Sequence, residues 1–165
     1  TEFPPLAQHT SERERNAGKS RSGRDVGVDL EEARTVIDWE RRNAACKSFK
    51  LFCETYLAGD FALEWSEMHL EVIETLEKCT STGGWFAFAL PRGSGKTTLT
   101  MAAALWCVLN GRIPFVVVLA ATATKAVDLL DRMKREFETN ELLGQDWPEI
   151  CIPIRALEGL PNRCK

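Results

Sequence analysis

The sequence carries no excess of basic charge: 21 Lys and Arg against 24 Asp and Glu over 165 residues leave a formal net charge of −3. That balance excludes a globally basic protein that coats nucleic acid, while leaving room for a local basic surface. A C-x-x-C pair is missing as well. The six cysteines, Cys46, Cys53, Cys79, Cys107, Cys151 and Cys164, stand far apart, without the spacing that holds zinc or runs thiol exchange. Several fall inside apolar stretches and read as buried free thiols of a reducing cytosol rather than as disulfides. Residues 1–25 lack the apolar core of a signal peptide, and the chain opens on Thr1 without a Met, as a fragment would. An uninterrupted membrane span is lacking too. The one stretch long enough, Leu99 to Ala121, is cut by Asn110, Gly111, Arg112 and Pro114, so no membrane crossing is expected.

What is present is apolar content sufficient for a core, 44% of the residues. Residues 1–28 are poor in large apolar side chains and rich in Pro, Ser, Gly, Arg and Glu, which predicts a flexible tail. Its Arg13, Arg15, Lys19, Arg21 and Arg24 are diluted by Glu12, Glu14 and Asp25, as in a solvated linker. Residues 29–80 read as a helical lead-in. A first helix is expected from Asp29 to about Asn43, with Val36, Ile37 and Trp39 as apolar contacts. A second is expected from Ala45 to Tyr56, where Phe49, Phe52, Cys53 and Tyr56 form one stripe. A third opens at Ser66, a good N-cap, and carries His69, Val72, Ile73 and Leu76 on one face until Thr80.

After Gly83 and Gly84 the pattern changes. Trp85 to Leu90 and Phe115 to Ala121 are short, continuously apolar runs, as expected for strands covered on both faces. Thr97 to Leu109 reads as a buried helix ended by Asn110 and Gly111. Thr122 to Asn140 reads as an amphipathic helix with Ala126, Leu130, Met133 and Phe137 inside and with Asp128 and Asp131 on its solvent face. The order strand, helix, strand, helix predicts an α/β class, a parallel sheet of the P-loop NTPase kind, partial and RecA- or helicase-like, over residues 81–165.

Between the first run and its helix lies Pro91-Arg92-Gly93-Ser94-Gly95-Lys96-Thr97-Thr98. Its last five positions before Thr98 match the second half of the phosphate-binding loop, G-x-x-x-x-G-K-[ST]. A polyphosphate brings several negative charges close to the main chain. Gly93 and Gly95 remove side chains there, so that successive N–H groups, that of Ser94 among them, and the following helix N-terminus can face the phosphates. Lys96 would place its ammonium on β- and γ-phosphate oxygens of ATP, Thr97 would ligate Mg²⁺, and Thr98 would help at the phosphate end. By chance G-x-G-K-[ST] arises in on the order of one chain in a hundred of this length. The first glycine of the consensus falls at Leu90, so the loop is opened by Leu90, Pro91 and Arg92.

Leu90 to Thr98, together with Phe61 to His69, Phe115 to Thr124, Phe137 to Leu143 and Trp147 to Gly159, resembles the N-terminal ATPase part of large terminase subunits of tailed phages and prophages. Those motors often lack the first Walker A glycine and carry an arginine in the loop. The resemblance covers about Ala44 to Arg163. It implies ATP hydrolysis that drives double-stranded DNA into a procapsid, in the host bacterial cytoplasm, by a homo-oligomeric ring working with a small terminase subunit and a portal protein. On it, Arg92 matches the loop arginine that senses or stabilises the γ-phosphate, the alternative being a plain anion contact or a salt bridge. His69 lies near the place where related motors read the adenine; it either meets a base edge with a donor and an acceptor or packs at the helix start. Trp65 stacks on the base or anchors the core. Thr122 and Thr124 touch a DNA phosphate or cap a helix.

Hydrolysis also needs an acid at the end of an apolar strand and a group that positions water. Neither apolar run ends in Asp-Glu, and the chain stops at Lys165, before the third strand where the family's Walker B pair and catalytic glutamate would come. The terminase nuclease carboxylates are not seen either. The expectation is therefore an N-terminal piece of a larger motor that binds ATP weakly and turns it over poorly. The alternatives are a non-hydrolysing nucleotide-binding remnant and another P-loop enzyme such as a helicase or nucleoside kinase.

Overall fold

Lys47, Ser48 and Phe49 show how local chemistry divides the first helices. The computed structural model describes residues 35–156; the tail expected at 1–28, the first turn expected at Asp29 and the segment from Pro161 to Cys164 lie outside the described residues. Helix α1 spans Trp39–Lys47 and starts where the Asp38 carboxylate accepts from the Arg41 N–H at 2.8 Å. It runs through the expected break near Asn43. Ser48 ends it instead, in an extended conformation, and the Ser48 hydroxyl accepts from the Leu51 N–H to open α2, Phe49–Tyr56. The residue that cannot continue one helix is a good cap for the next. Ile37 and Trp39 are exposed, whereas Val36 is buried.

The stripe expected on α2 is buried as a unit: Phe49, Phe52, Cys53 and Tyr56 all lie in the core. They meet α4, Lys96–Leu109, a helix apolar on nearly all sides, with Leu99, Met101, Ala102, Ala103, Leu105, Trp106, Cys107 and Leu109 buried. The Phe49 and Trp106 rings stand 5.4 Å apart, and the Trp106 indole N–H donates to the Ala45 carbonyl at 2.9 Å. The apolar body is thus packed while its one polar atom is satisfied. Helix α3, Glu67–Thr82, lays Val72 and Ile73 on this core. Arg112, just beyond α4, spreads its guanidinium over the Trp106 ring at 4.6 Å and donates to the Cys46 carbonyl. Helices α5, Ala123–Thr139, α6, Glu141–Asp146, and α7, Pro148–Ala156, close the far side with Phe137, Leu143, Trp147 and Cys151. The lead-in helices and the helices after the loop share this one hydrophobic cluster. Among the described residues no helix is long and apolar enough to cross a membrane.

The expected parallel sheet is not found: the described residues contain helices and loops and no strand. Trp85 to Leu90 and Phe115 to Ala121 have no helical structure, yet no backbone hydrogen bond joins either run to another segment among the described residues. Trp85 is fully exposed and Leu119 is 89% exposed. A continuously apolar run signals a segment suited to burial on two faces. Ladder partners and covering helices have to supply that burial; here no described strand pairs with either run, and of the first run Leu90 at its end packs against the core. For the same reason Leu130, expected inside α5, is exposed, while Met133 is partly buried and Phe137 is buried at the helix's far end.

One polar cluster sits in the core. The Asp146 side chain is fully buried and accepts two hydrogen bonds from the Arg41 guanidinium, at 2.6 and 2.8 Å, and one from the Tyr56 hydroxyl at 2.5 Å. It ties α1 and α2 to α6. Removing only the carboxylate strands a guanidinium and a phenol. Asp146→Ala is therefore expected to cost about 2–3 kcal/mol, somewhat under the value for a fully buried pair because Arg41 is partly exposed. Glu149→Ala, which breaks the outer pair with Arg42, should cost under about 1 kcal/mol. Urea unfolding of both variants checks the ordering, and equal losses would contradict it.

Cys46, Cys53, Cys79, Cys107 and Cys151 are all free thiols. Burial pushes the Cys53, Cys107 and Cys151 thiols up, Cys151 from the ordinary 9.0 to about 11. A raised folded value means that the unfolded chain releases its protons first as pH rises. The associated stability is complete below 9.0 and is lost as pH climbs toward about 11. The melting temperature should accordingly fall across that alkaline interval; a flat profile there would contradict the burial of these thiols.

Candidate functional site

The loop Leu90 to Gly95 and the first turn of α4 form the site that the sequence singles out. Gly93 and Gly95 hold positive φ angles of 86° and 71°, a region that costs an L-side chain energy but is open to glycine. Between them the Ser94 N–H donates to the Pro91 carbonyl at 3.4 Å, which closes a turn. Gly95 is the N-cap of α4 and offers no capping side chain, so the first-turn N–H groups of a 14-residue helix are left facing outward. The Lys96 ammonium folds back over the loop and donates to the Leu90 and Pro91 carbonyls at 2.7 and 2.6 Å. Its position at the loop mouth is thereby fixed, with one N–H donor left over. Arg92 is exposed and has no partner among the described residues.

Two cavities flank the α4 N-terminus. The smaller, about 230 Å³, has Gly93, Ser94, Gly95 and Thr98 on one wall and Phe61, Trp65 and His69 on the other. Its aromatic wall is braced. Phe61 and Trp65 stack at 5.2 Å and 24°, and the Trp65 indole N–H donates to Glu54 at 2.8 Å. The larger cavity, about 680 Å³, contains Lys96 and Thr97 together with Lys125 and Asp128 of α5. Asp128 is thus exposed, as expected, but opens on the same cavity as the loop lysine. The two threonines have separate surroundings: Thr98 lines the aromatic cavity and Thr97 the charged one.

His69 sits in the third residue of α3, where its ring reaches both ways. Nε2 is 3.0 Å from the Ser94 carbonyl, which can only accept, so Nε2 carries the proton. Nδ1 lies 2.9 Å from the Ser66 hydroxyl and accepts from it in the neutral ring. Ser66, expected as an N-cap, therefore makes no side-chain bond to the helix backbone. The Trp65 ring meets the His69 ring edge-on at 6.1 Å. The ring thus spans the helix start and the loop, an arrangement that neither expected role for His69, a base-edge contact or packing at the helix start, describes. The Ser66-to-His69 spacing, a capping-box spacing with a histidine in the third place, was the available signal for the bridge.

No family model, no curated protein and no solved structure matches this chain. The site is therefore judged on its geometry. That geometry fits a phosphate chain: two positive-φ glycines, a helix N-terminus, an anchored ammonium, and a buried Ser94 hydroxyl with no hydrogen-bond partner among the described residues. A protein-only metal cage is a different matter. Among the described residues no group of three His, Cys, Asp or Glu side chains could hold a metal. Thr97 suits Mg²⁺ only in company with phosphate oxygens, which is how Mg²⁺ is usually held.

Thr122 and Thr124 remain exposed, and the Thr122 hydroxyl caps α5 by accepting from the Lys125 N–H at 3.3 Å. The loop glycines yield a test. A Cβ on Gly95 would meet nothing within 4 Å, so its cost is purely conformational. Gly95→Ala should destabilise the fold by about 1–2 kcal/mol. Gly59→Ala, at an equally open position without a positive φ, should change stability by under about 0.5 kcal/mol. Similar values for the two in denaturant titrations would overturn the left-handed assignment at Gly95.

Proposed function

We propose that the loop from Gly93 to Thr98 binds the polyphosphate of ATP, and that the chain acts as the nucleotide-binding portion of a DNA-packaging motor of the large-terminase kind. The observation that carries the first half is the Lys96 ammonium, held by two loop carbonyls beside a helix N-terminus that two positive-φ glycines leave bare. The second half rests on the resemblance of Leu90 to Thr98 and its flanking segments. In this reading the base and sugar lie in the aromatic cavity of Phe61 and Trp65, and the phosphates run along Gly93, Ser94 and Gly95 to Lys96.

Each residue then has a physical task. The backbone N–H groups and Lys96 neutralise phosphate oxygens without having to reorganise. Thr97 supplies a hydroxyl to Mg²⁺, which would spread the charge of the terminal phosphates when bound with them. Arg92, exposed and without a partner, is free to swing onto the γ-phosphate. Double-stranded DNA, a small terminase subunit and a portal protein are the partners this reading implies, with the bacterial host cytoplasm as the site of action and a ring of copies as the working assembly.

One observation favours binding over turnover by these residues. The carboxylate that shares a cavity with Lys96 and Thr97 is Asp128, exposed on α5 and without a partner, and no described acid ends an apolar segment. Asp128 is therefore a solvent-facing acid whose side chain no described neighbour fixes toward an attacking water. Binding is the property to measure first. Lys96→Ala removes a charge-assisted contact and should weaken Mg²⁺-ATP at least about tenfold in calorimetric titration. Equal affinity in the two proteins would overturn the assignment.

A further inference from the structure

We propose that His69 is a positioning residue for the phosphate loop, locking the Ser94–Gly95 peptide, rather than a reader of the nucleotide base. The proposal rests on the phosphate-loop reading above and goes past it to how the loop keeps its binding geometry. Both ring nitrogens of His69 are already engaged, Nδ1 with Ser66 at 2.9 Å and Nε2 with the Ser94 carbonyl at 3.0 Å. No lone pair or N–H remains for a base edge.

The bond to Ser94 has a directional consequence. In a trans peptide the carbonyl and the following N–H point in opposite directions. Anchoring the Ser94 carbonyl on His69 therefore turns the Gly95 N–H away from the histidine. That N–H makes no backbone hydrogen bond among the described residues, so it is available to an anion. A flip of this peptide changes the Ser94 ψ and the Gly95 φ, and Gly95, which holds a positive φ of 71°, admits the flipped form at little cost. In the flipped form a carbonyl oxygen would face the phosphates where an N–H should be. His69 holds the peptide against that flip, and it is itself held by Ser66, by the edge contact with Trp65, and through Trp65 by Phe61 and Glu54.

Inorganic tripolyphosphate separates the two roles because it has phosphates and no base. His69→Leu, in the full chain with Mg²⁺, should weaken tripolyphosphate and ATP by the same factor, roughly fivefold, the size of one neutral hydrogen bond. His69→Gln, whose side-chain amide can still donate to the Ser94 carbonyl, should recover most of both affinities. A general loss of packing would not follow the donor in this way. Loss of ATP affinity with tripolyphosphate unchanged would make His69 a base reader and overturn the proposal, as would unchanged binding of both ligands. Lys96→Ala is the internal control: if wild type binds neither ligand, or if this variant binds both as wild type does, the phosphate-loop reading fails and the proposal fails with it. If Lys96→Ala weakens both ligands and His69→Leu weakens neither, only the role of His69 is refuted.

Discussion

Burial of α4 is the constraint from which the rest of the structure follows. Its side chains from Leu99 to Leu109 are apolar on nearly every side, so it is stable only when surrounded. Phe49 and Phe52 of α2 and Val72 and Ile73 of α3 cover part of it, and the far end of α5 with Leu143 and Trp147 completes the same cluster. Once α4 is fixed in this way, its N-terminus and the loop that precedes it have a fixed place. A loop whose chemistry depends on backbone N–H direction needs such an anchor, because the loop itself contains two glycines and little to pack.

The parts of the fold that were legible in the sequence are those in which one side chain pattern answers one local question. The stripe Phe49, Phe52, Cys53 and Tyr56 could face only a core, and Thr97 to Leu109 could only be enclosed. The loop was legible from its glycines and Lys96. The break was placed near Asn43 rather than at Ser48 because α1, with Ala45 as its one buried residue, carries too little apolar pattern to mark its end; only the serine's capping bonds divide the two helices. The strands were misjudged for a different reason. Trp85 to Leu90 and Phe115 to Ala121 announce a preference for burial, and pairing is a property of two segments together. Asp146 was invisible as a core residue, since nothing in the neighbouring sequence shows that Arg41 and Tyr56, far away along the chain, will arrive to satisfy it.

The candidate site combines two kinds of holding that differ in strength. On the α4 side the backbone is helical and packed, and its polar groups are set by the ladder of the helix. On the entry side, Leu90 and Pro91 follow a run with no ladder among the described residues, and their carbonyls are held by the Lys96 ammonium. In the proposed reading an arriving phosphate would compete for that ammonium. Transfer of Lys96 from carbonyl dipoles to a full negative charge favours the ligand electrostatically, while it releases the carbonyls of the entry segment.

That exchange gives the aromatic wall a mechanical meaning. If Lys96 turned to an anion, as proposed, the loop would still be located against the body of the protein by the helix itself, by Leu90 packed against the core and by the His69 bond to the Ser94 carbonyl. His69 belongs to α3, whose Val72 and Ile73 lie in the same core that buries α4. These supports thus share one foundation, and a shift of α3 relative to α4 would move the Ser94 carbonyl relative to the α4 amides. Such a shift would alter the direction of the Gly95 N–H before it altered any side chain that touches phosphate. The geometry of this loop therefore depends on the shared core that holds α3 and α4 in place as well as on the residues of the loop.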